Sequence, residues 1–199
     1  MRALGYFTVT VREDERAFLL SNGRFVRLLG PGSHRELDPF ARLSAEVVKV
    51  LQAELSPEKA LLYARTAPAL AAEHFAIVRP KAREVAIVSL DGVPKHLVLP
   101  HTTRAFWKTL TAVDVETIDT AANVRVSREH LDKLDIEHTR SVVADVVAAH
   151  ETGLLFVDGE VVEELPAGRH AFWAVGRRVE VAKVDRRPTP LEVTAQEIL

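Results

Sequence analysis

One short pattern occurs three times in this chain, and this repetition constrains the fold more than any other feature. In each copy an aliphatic run reaches a tight turn and a second aliphatic run follows, and the turns are Asn22-Gly23, Asp91-Gly92 and Asp158-Gly159. Each second run ends in a similar phrase, which reads LGPGSHREL from Leu29, LPHTTRAFW from Leu99 and LPAGRHAFW from Leu165. Recurrence of this kind predicts a repeated fold unit. A residue that recurs at the same place is therefore expected to have a structural role before a catalytic one.

Each turn predicts a β-hairpin. Asn-Gly and Asp-Gly between aliphatic runs favour a type I′ turn, which needs positive φ at both central positions. Pro94 lies inside the returning strand of the second hairpin and cannot donate to a β-ladder, so we expect that strand at a sheet edge. The predicted hairpin strands are 16–21 with 24–29, 84–90 with 93–99, and 152–157 with 160–165.

Further strands and helices follow the hairpins. Partial alternation of apolar and polar residues predicts a third strand in each unit, at 45–50, 113–119 and 179–185. A fourth short strand is predicted at Val124-Arg125-Val126 and, in the matching place, at Leu191-Glu192-Val193. Ser56-Pro57-Glu58 predicts a helix start, because serine is a good N-cap and proline suits the first helical position. Pro68 divides that helix from a second short turn near 69–73, and one more short helix is predicted at 129–134, after Ser127.

Together these elements predict a β-dominated α+β fold. It consists of three repeated small antiparallel β units, with a short helical insert after the first. The predicted segments are a first β unit at 1–50, the helical insert at 51–78, a second β unit with its short helix at 79–138, and a third β unit at 139–199. A compact chain of this length buries roughly 70% of its extended surface, so it needs no metal or disulfide for stability.

Composition narrows the classes of function. The chain has 26 basic and 28 acidic residues scattered along its length, whereas a nucleic-acid binder usually carries a basic stripe. The absence of cysteine excludes thiolate nucleophiles and cysteine-ligated metals, and it fits a reducing cytosol. The N-terminus reaches charged residues before a signal-peptide core could form, and the most apolar stretch, 142–149, is too short to span ~30 Å of hydrocarbon. The chain is therefore predicted to be soluble.

The histidines suggest structural roles more than metal binding. His34 and His170 hold the same place in the first and third phrases, so each is expected to cap or pack against its own turn. Arg104 holds that place in the second phrase, where it could replace a hydrogen-bond donor but not a metal ligand. His96 and His101 are close in sequence, yet no third zinc ligand can be named for them. We predict no catalytic, cofactor-binding or metal-binding residue.

Motifs for enzyme chemistry are also missing from the sequence. There is no G-x-S-x-G elbow, Walker motif or G-x-G-x-x-G motif. Arg177-Arg178 and Arg186-Arg187 could place a basic edge near anionic lipid, at about 1 kcal/mol per cation, although such pairs usually solvate a loop. Phe106-Trp107 and Phe172-Trp173 recur and are assigned to packing, with Trp173 as a possible marker of an interface.

A resemblance to a known family covers nearly the whole chain. The text ETGLLFVDGEVVEELPAGRHAFW, which starts at Glu151, and the following residues to Leu199 resemble the opening of bacterial slipins. These belong to the stomatin, prohibitin, flotillin and HflK/HflC superfamily, also called SPFH or band 7. VREDERAFLLSNGRFVRLLGPGSHRELDPF, which starts at Val11, is similar to the N-terminal extension of one bacterial slipin subgroup, as are the stretch around Ala71 to Phe75 and the Asp91-Gly92 turn.

The resemblance implies a non-enzymatic scaffold without a cofactor. Such proteins form homo-oligomers, act at membranes with lipids and membrane proteins as partners, and organise the membrane or modulate membrane proteases and channels. This chain would be the region up to the start of the band 7 domain, cytoplasmic and peripheral to the membrane in the full-length context. The alternative is a soluble β-rich protein-binding module that acts through an exposed edge strand. An enzyme that uses a histidine and carboxylates in a cleft between units is the least favoured hypothesis, and substitution of His96, His101 and His150 together would test it.

The last nine residues, LEVTAQEIL, form a strand-like and amphipathic segment. A strand there would present an unpaired edge, which natural proteins usually protect. We therefore expect either that the natural chain continues beyond Leu199 or that another chain pairs with this edge.

Overall fold

The computed structural model describes residues 2–3, 5–134 and 139–188. Within these ranges the protein is β-dominated, with several small antiparallel sheets and three helices. The chain divides into two compact parts, residues 1–118 and residues 119–199, which we call the first and the second part.

The first part begins with two sheets that are interleaved along the chain. Their strand orders are β1-β2-β5 and β4-β3-β6. The hairpin β3-β4 therefore lies in one sheet, and the strands just before and just after it pair with each other in the second sheet. The strands are β1 (Arg2–Ala3), β2 (Tyr6–Val11), β3 (Glu15–Ser21), β4 (Arg24–Leu29), β5 (Gly32–Leu37) and β6 (Leu43–Lys49).

The rest of the first part contains the helical insert and two more sheets, with strand orders β7-β11-β8 and β10-β9-β12. The two predicted helices are confirmed. Strand β10 stands at the end of its sheet, which confirms the edge position predicted from Pro94. The elements are β7 (Glu54–Leu55), α1 (Pro57–Thr66), α2 (Pro68–His74), β8 (Phe75–Val78), β9 (Glu84–Leu90), β10 (Val93–Val98), β11 (Arg104–Trp107) and β12 (Val113–Asp119).

The second part starts with the predicted short helix and continues with two sheets. Their strand orders are β13-β16 and β15-β14-β17. Ser127 caps the helix, because its hydroxyl oxygen accepts the backbone N–H of His130 at 3.2 Å. The elements are α3 (Arg128–Lys133), β13 (Val142–Val147), β14 (Glu151–Val157), β15 (Glu160–Leu165), β16 (Gly168–Trp173) and β17 (Val179–Asp185).

The three predicted hairpins are confirmed, as β3-β4, β9-β10 and β14-β15. Both central residues of each turn have positive φ, as a type I′ turn requires. The φ angles are 49° and 75° at Asn22-Gly23, 53° and 76° at Asp91-Gly92, and 52° and 90° at Asp158-Gly159.

Several elements differ from the sequence-based expectation. The recurring phrases contain strands β5, β11 and β16, where only a turn was expected between hairpin and third strand. Residues 124–126 form a single bridge, Arg125 to Phe172, instead of a full strand. Strand β6 begins at Leu43, two residues before the predicted start. The predicted strand at 191–193 lies outside the described residues.

Ser56 precedes α1 as predicted, but its side chain makes no capping bond to the backbone. Its hydroxyl donates instead to the Glu58 carboxylate at 2.6 Å. The start of this helix therefore depends on Pro57, whose fixed φ is already helical, and on the acid in the first turn.

An aromatic cluster forms the main core of the first part. Phe18 on β3 stacks on Tyr63 of α1, with ring centroids 4.4 Å apart. Phe75 and Trp107 meet edge to face at 4.8 Å, and Trp107 lies 5.9 Å from Phe18. Helix α1 thus joins the hairpin sheet β4-β3-β6 to the sheet β7-β11-β8. The core of the second part is aliphatic around one aromatic ring, with Leu155, Leu165 and Phe172 fully buried.

Candidate functional site

His34 and His170 each bond to their own turn. The Nε2 atom of His34 lies 2.8 Å from the Gly30 carbonyl oxygen, and that of His170 lies 2.8 Å from the Pro166 carbonyl oxygen. A carbonyl oxygen accepts, so the imidazole must donate at this nitrogen. This is the turn-capping role predicted for both residues.

Arg104 has a different partner from the two histidines. Its Nε and Nη2 atoms donate to the two carboxylate oxygens of Glu54 at 2.7 and 2.6 Å. The hydrogen bond from Arg104 is the main cause that holds the pKa of Glu54 below its ordinary value. The turn itself is closed by Thr102, whose hydroxyl donates to the Leu99 carbonyl oxygen at 2.7 Å. Arg104 therefore links β11 to β7 instead of capping its turn.

The structure places His96 and His101 in the first part of the chain and His150 in the second. The His96 ring lies 5.2 Å from the Phe106 ring, and burial, followed by the charge of Arg104, lowers its pKa. His101 is exposed in a turn with φ of 60°. His150 is exposed in the second part, where its carbonyl accepts the Arg186 N–H at 2.9 Å. Among the residues that the structure describes, no three histidines or acids are grouped so that they could hold a metal ion.

A glutamate closes the turn before each hairpin, a feature that sequence reasoning missed. Each of these glutamates makes two hydrogen bonds to the residue three positions earlier. Its backbone N–H donates to the carbonyl oxygen of that earlier residue, and its carboxylate accepts the backbone N–H of that earlier residue. The carboxylate bonds run from Arg12 to Glu15 at 3.0 Å, from Lys81 to Glu84 at 3.1 Å and from Ala148 to Glu151 at 3.0 Å. An acid at the first position of each hairpin was the available signal. These carboxylates serve the backbone, as Asx-like caps do.

The basic pairs of the second part have acidic neighbours. Arg178 donates to Glu180 at 2.6 Å, and Arg187 forms two-pronged contacts with Asp185, whose pKa is lowered mainly by that hydrogen bonding. Trp173 is fully buried, so it offers no surface to a partner and the idea that it marks an interface is wrong. Within the described ranges, no helix has the length and apolar character needed to cross a bilayer.

A shallow apolar hollow of about 380 Å³ lies between the first hairpin and α1. Its walls come from Leu20, Phe25, Leu62 and Tyr63, and Arg24 supplies the one charged side chain among the lining residues. Catalysis needs convergent polar groups, such as an acid or base beside a nucleophile, and the lining does not supply them.

Sheet edges are the remaining candidate. A short segment adds to the outer edge of β11, where the Trp107 N–H donates to the Ala53 carbonyl oxygen at 2.6 Å. In the second part, 124–126 adds to β16 in the same way. There the Trp173 N–H donates to the Val124 carbonyl at 2.7 Å, and the Val126 N–H donates to the Ala171 carbonyl at 2.9 Å. The geometry is that of strand addition, in which main-chain bonds hold the added segment.

Strand β5 is also the end of its sheet. It pairs with β2 on one side, and no strand among the described residues pairs with its other side. Leu37, the last residue of β5, has 70% of its surface exposed. By contrast, Trp107 and Trp173, which hold the same place in the second and third phrases, are 1% and 0% exposed.

No family model matches the chain, and no curated protein or solved structure matches it either.

Proposed function

We propose that this chain is a non-enzymatic scaffold made of three copies of one β unit. It is the N-terminal part of a slipin-like protein that forms homo-oligomers at a membrane and organises lipid or modulates membrane proteases or channels. The proposal rests on the textual resemblance to slipins and on one structural observation. The side chains that recur among the three hairpin regions are engaged in turns and packing.

The hairpins support the repeat through a shared irregularity. Each returning strand carries one extra residue that has no partner in the opposite strand, and this residue comes three positions after the turn glycine. The extra residues are Val26, Lys95 and Val162. A β-bulge of this kind is a specific feature that increases local twist, so its recurrence at one position favours a common ancestor unit.

The strands around the hairpins support the repeat through a shared register. The last residue of each nine-residue phrase faces the first residue of the strand that precedes the hairpin. The backbone N–H of the residue after the phrase then donates to the carbonyl oxygen of the residue just before that strand. The facing pairs are Leu37 with Tyr6, Trp107 with Phe75, and Trp173 with Val142. The bonds run from Asp38 to Gly5 at 2.9 Å, from Lys108 to His74 at 2.9 Å and from Ala174 to Ser141 at 2.8 Å.

Liposome flotation tests the membrane role. The natural product that contains residues 1–199 is mixed with neutral vesicles, or with vesicles that contain an anionic lipid. We expect flotation with the anionic vesicles, weakened by salt because exposed charges are screened. Charge reversal at Arg177 and Arg186 distinguishes attachment through this region from attachment elsewhere. Failure to float with either vesicle would refute the membrane role.

The alternative function is a soluble module that binds a protein through an edge strand. This alternative is favoured by the outer edge of β5, which no described strand covers, and by the exposed side chain of Leu37 at the end of that strand. Affinity capture from the native cell should then recover one soluble protein at equal stoichiometry and no lipid. Loss of that partner after Leu37→Glu would place the contact at β5.

A further inference from the structure

The sheet of the first hairpin, β4-β3-β6, has one face that a helix covers. Phe18 and Phe25 lie on this side, which we call the outer face, and both contact Tyr63 of α1, with ring centroids 4.4 and 5.0 Å apart. One turn earlier in α1, Lys59 forms an ion pair with Glu46 of β6, the residue that faces Phe18. The helix therefore meets the outer face with a cation and an aromatic ring at positions i and i+4.

The sheet of the third hairpin, β15-β14-β17, has an equivalent face. Leu154 lies three residues after the glutamate that closes its turn, as Phe18 does in the first hairpin. Side chains alternate along a strand, so residues two positions apart and their neighbours across the sheet share one face. The apolar residues that share the outer face with Leu154 are Phe156, Val161, Ala182 and Val184.

The outer face is open in the third hairpin. Val161 and Val184 are 58% and 51% exposed, and Phe156 is half-buried. In the second hairpin, by contrast, Val85 and Ile87 hold the outer-face positions one and three residues after the closing glutamate, and they are 0% and 1% exposed. The face is thus covered in two hairpins and exposed in the third.

Acidic side chains border this open face. Glu164 on β15 faces Leu154 and is exposed, and among the described residues no cation pairs with it. Glu180 on β17 lies on the same face and accepts a hydrogen bond from Arg178 at 2.6 Å. A carboxylate without an ion-pair partner beside exposed apolar side chains favours a partner that supplies a cation, as α1 does with Lys59.

We propose that the outer face of the third hairpin sheet is the docking site for an amphipathic helix of a partner protein. The helix packs an apolar stripe with an aromatic ring against Phe156, Val161 and Val184, and it places a lysine or arginine near Glu164. Exposed apolar patches with polar rims mark interaction sites, and a helix laid on such a surface is a common mode of recognition.

The acids on this face repel an anionic bilayer, which separates the docking site from the proposed membrane contact. The inference rests on the repeat proposed above but not on the membrane role. Flotation is measured without a peptide and helix docking without vesicles, so either can fail without the other.

Titration of the full chain with a short synthetic helical peptide is the first test. The peptide carries a stripe of leucine and tryptophan flanked by lysines, and shifts of the backbone amide NMR signals locate its binding site. We expect the shifts in β14, β15 and β17. A peptide of the same composition in scrambled order should bind about tenfold more weakly or worse, because it has no continuous stripe. Absence of binding, or shifts that spread over both parts of the chain, would overturn the proposal.

Val161→Glu and Val184→Glu test whether the apolar face makes the contact. Each adds negative charge, which strengthens non-specific attraction of the lysines, yet each should weaken docking by about tenfold because it buries a charge against the apolar stripe. Val26→Glu is the matched control, since Val26 is 51% exposed on the first hairpin and should leave binding unchanged. Thermal unfolding checks that the variants fold. Equal affinity of all three variants would rule out this face.

Charge reversal tests the part played by Glu164. Glu164→Lys should weaken binding of the lysine peptide and strengthen binding of a peptide in which glutamates replace the lysines. An equal change for both peptides would contradict the proposed charge pairing. Sedimentation velocity without peptide addresses the other occupant, a second copy of the chain. Self-association that Val161→Glu abolishes would assign the face to that second copy and overturn the proposal.

Discussion

Glu54 and Arg104 are fifty positions apart in the sequence, yet they share two hydrogen bonds, of 2.7 and 2.6 Å. The ion pair links the neighbouring strands β7 and β11, which also pair through their backbones. Its side chains are 44% and 29% exposed, so water screens the attraction and the pair contributes like a well-formed surface ion pair.

Breaking this pair should cost little stability, and the cost should depend on pH. We expect Glu54→Gln and Arg104→Gln each to lower the free energy of unfolding, with a coupling of about 0.5–1 kcal/mol between them in a double-mutant cycle. The folded state lowers the pKa of Glu54 from its ordinary 4.5. The stabilisation that ionised Glu54 adds to the free energy of unfolding is therefore present above pH 4.5 and is lost as the pH falls through the lowered pKa. Denaturant titrations at neutral and acidic pH measure this, and a coupling that persists below the lowered pKa would contradict it.

Gly153→Ala should destabilise the second part of the chain. A Cβ at this position would lie 2.8 Å from Val147 Cγ2 and 3.0 Å from Leu165 Cβ, so the neighbours must shift. Overpacking of this kind costs about 1–3 kcal/mol. Thermal unfolding measures the loss. Gly30→Ala is the matched control, because a Cβ there meets nothing within 4 Å and its φ is not in the left-handed region. Equal stability of the two variants would show that the site relaxes freely.

Asp158→Ala should destabilise the third hairpin by about 1–2 kcal/mol. The residue has a φ of 52°, which costs an alanine more than an aspartate, and its carboxylate accepts the Arg178 N–H at 2.8 Å. Asp158→Asn retains an acceptor oxygen and tolerates the left-handed region, as Asn22 does in the first hairpin. Urea unfolding should therefore separate the two variants. The account of the turn is wrong if asparagine is as damaging as alanine.

Tyr63→Ala should lower the free energy of unfolding by about 3 kcal/mol, because it removes a ring that is 5% exposed and stacked on Phe18. Tyr63→Phe keeps the ring and should cost much less. Burial, followed by the charge of Glu46, raises the pKa of Tyr63 above its ordinary 10.0. Its contribution is thus present below pH 10 and is lost as the pH rises through the raised pKa. Tyrosinate absorbance is titrated for the wild type and for Tyr63→Phe. The two curves should diverge only above pH 10, where Tyr63 ionises in the wild type.

The hairpins and helices could be predicted because their signals are local. Asn22-Gly23 and its two counterparts determine their turns almost alone, and Pro57 and Pro68 mark where helices begin. Pro94 could be placed at an edge because proline lacks an N–H, whatever the strand packs against.

Strands β5, β11 and β16 could not be predicted in this way. Their partners precede the hairpins, so the pairing is distant in sequence, and β5 reads GSHREL with little apolar character. The bond from Trp107 to Ala53 also depends on the assembled sheet. The turn-capping role of His34 and His170 could be predicted because the two residues recur at the same place in their phrases. The partner of Arg104 could not be predicted, because it depends on where β7 lies in the folded chain.

Phe18 has a practical consequence for anyone who trims this chain. Three of the rings around it, Tyr63, Phe75 and Trp107, lie beyond residue 50. A fragment that stops there would present a bare phenylalanine to solvent and should aggregate, whereas one that runs to residue 118 keeps the ring covered.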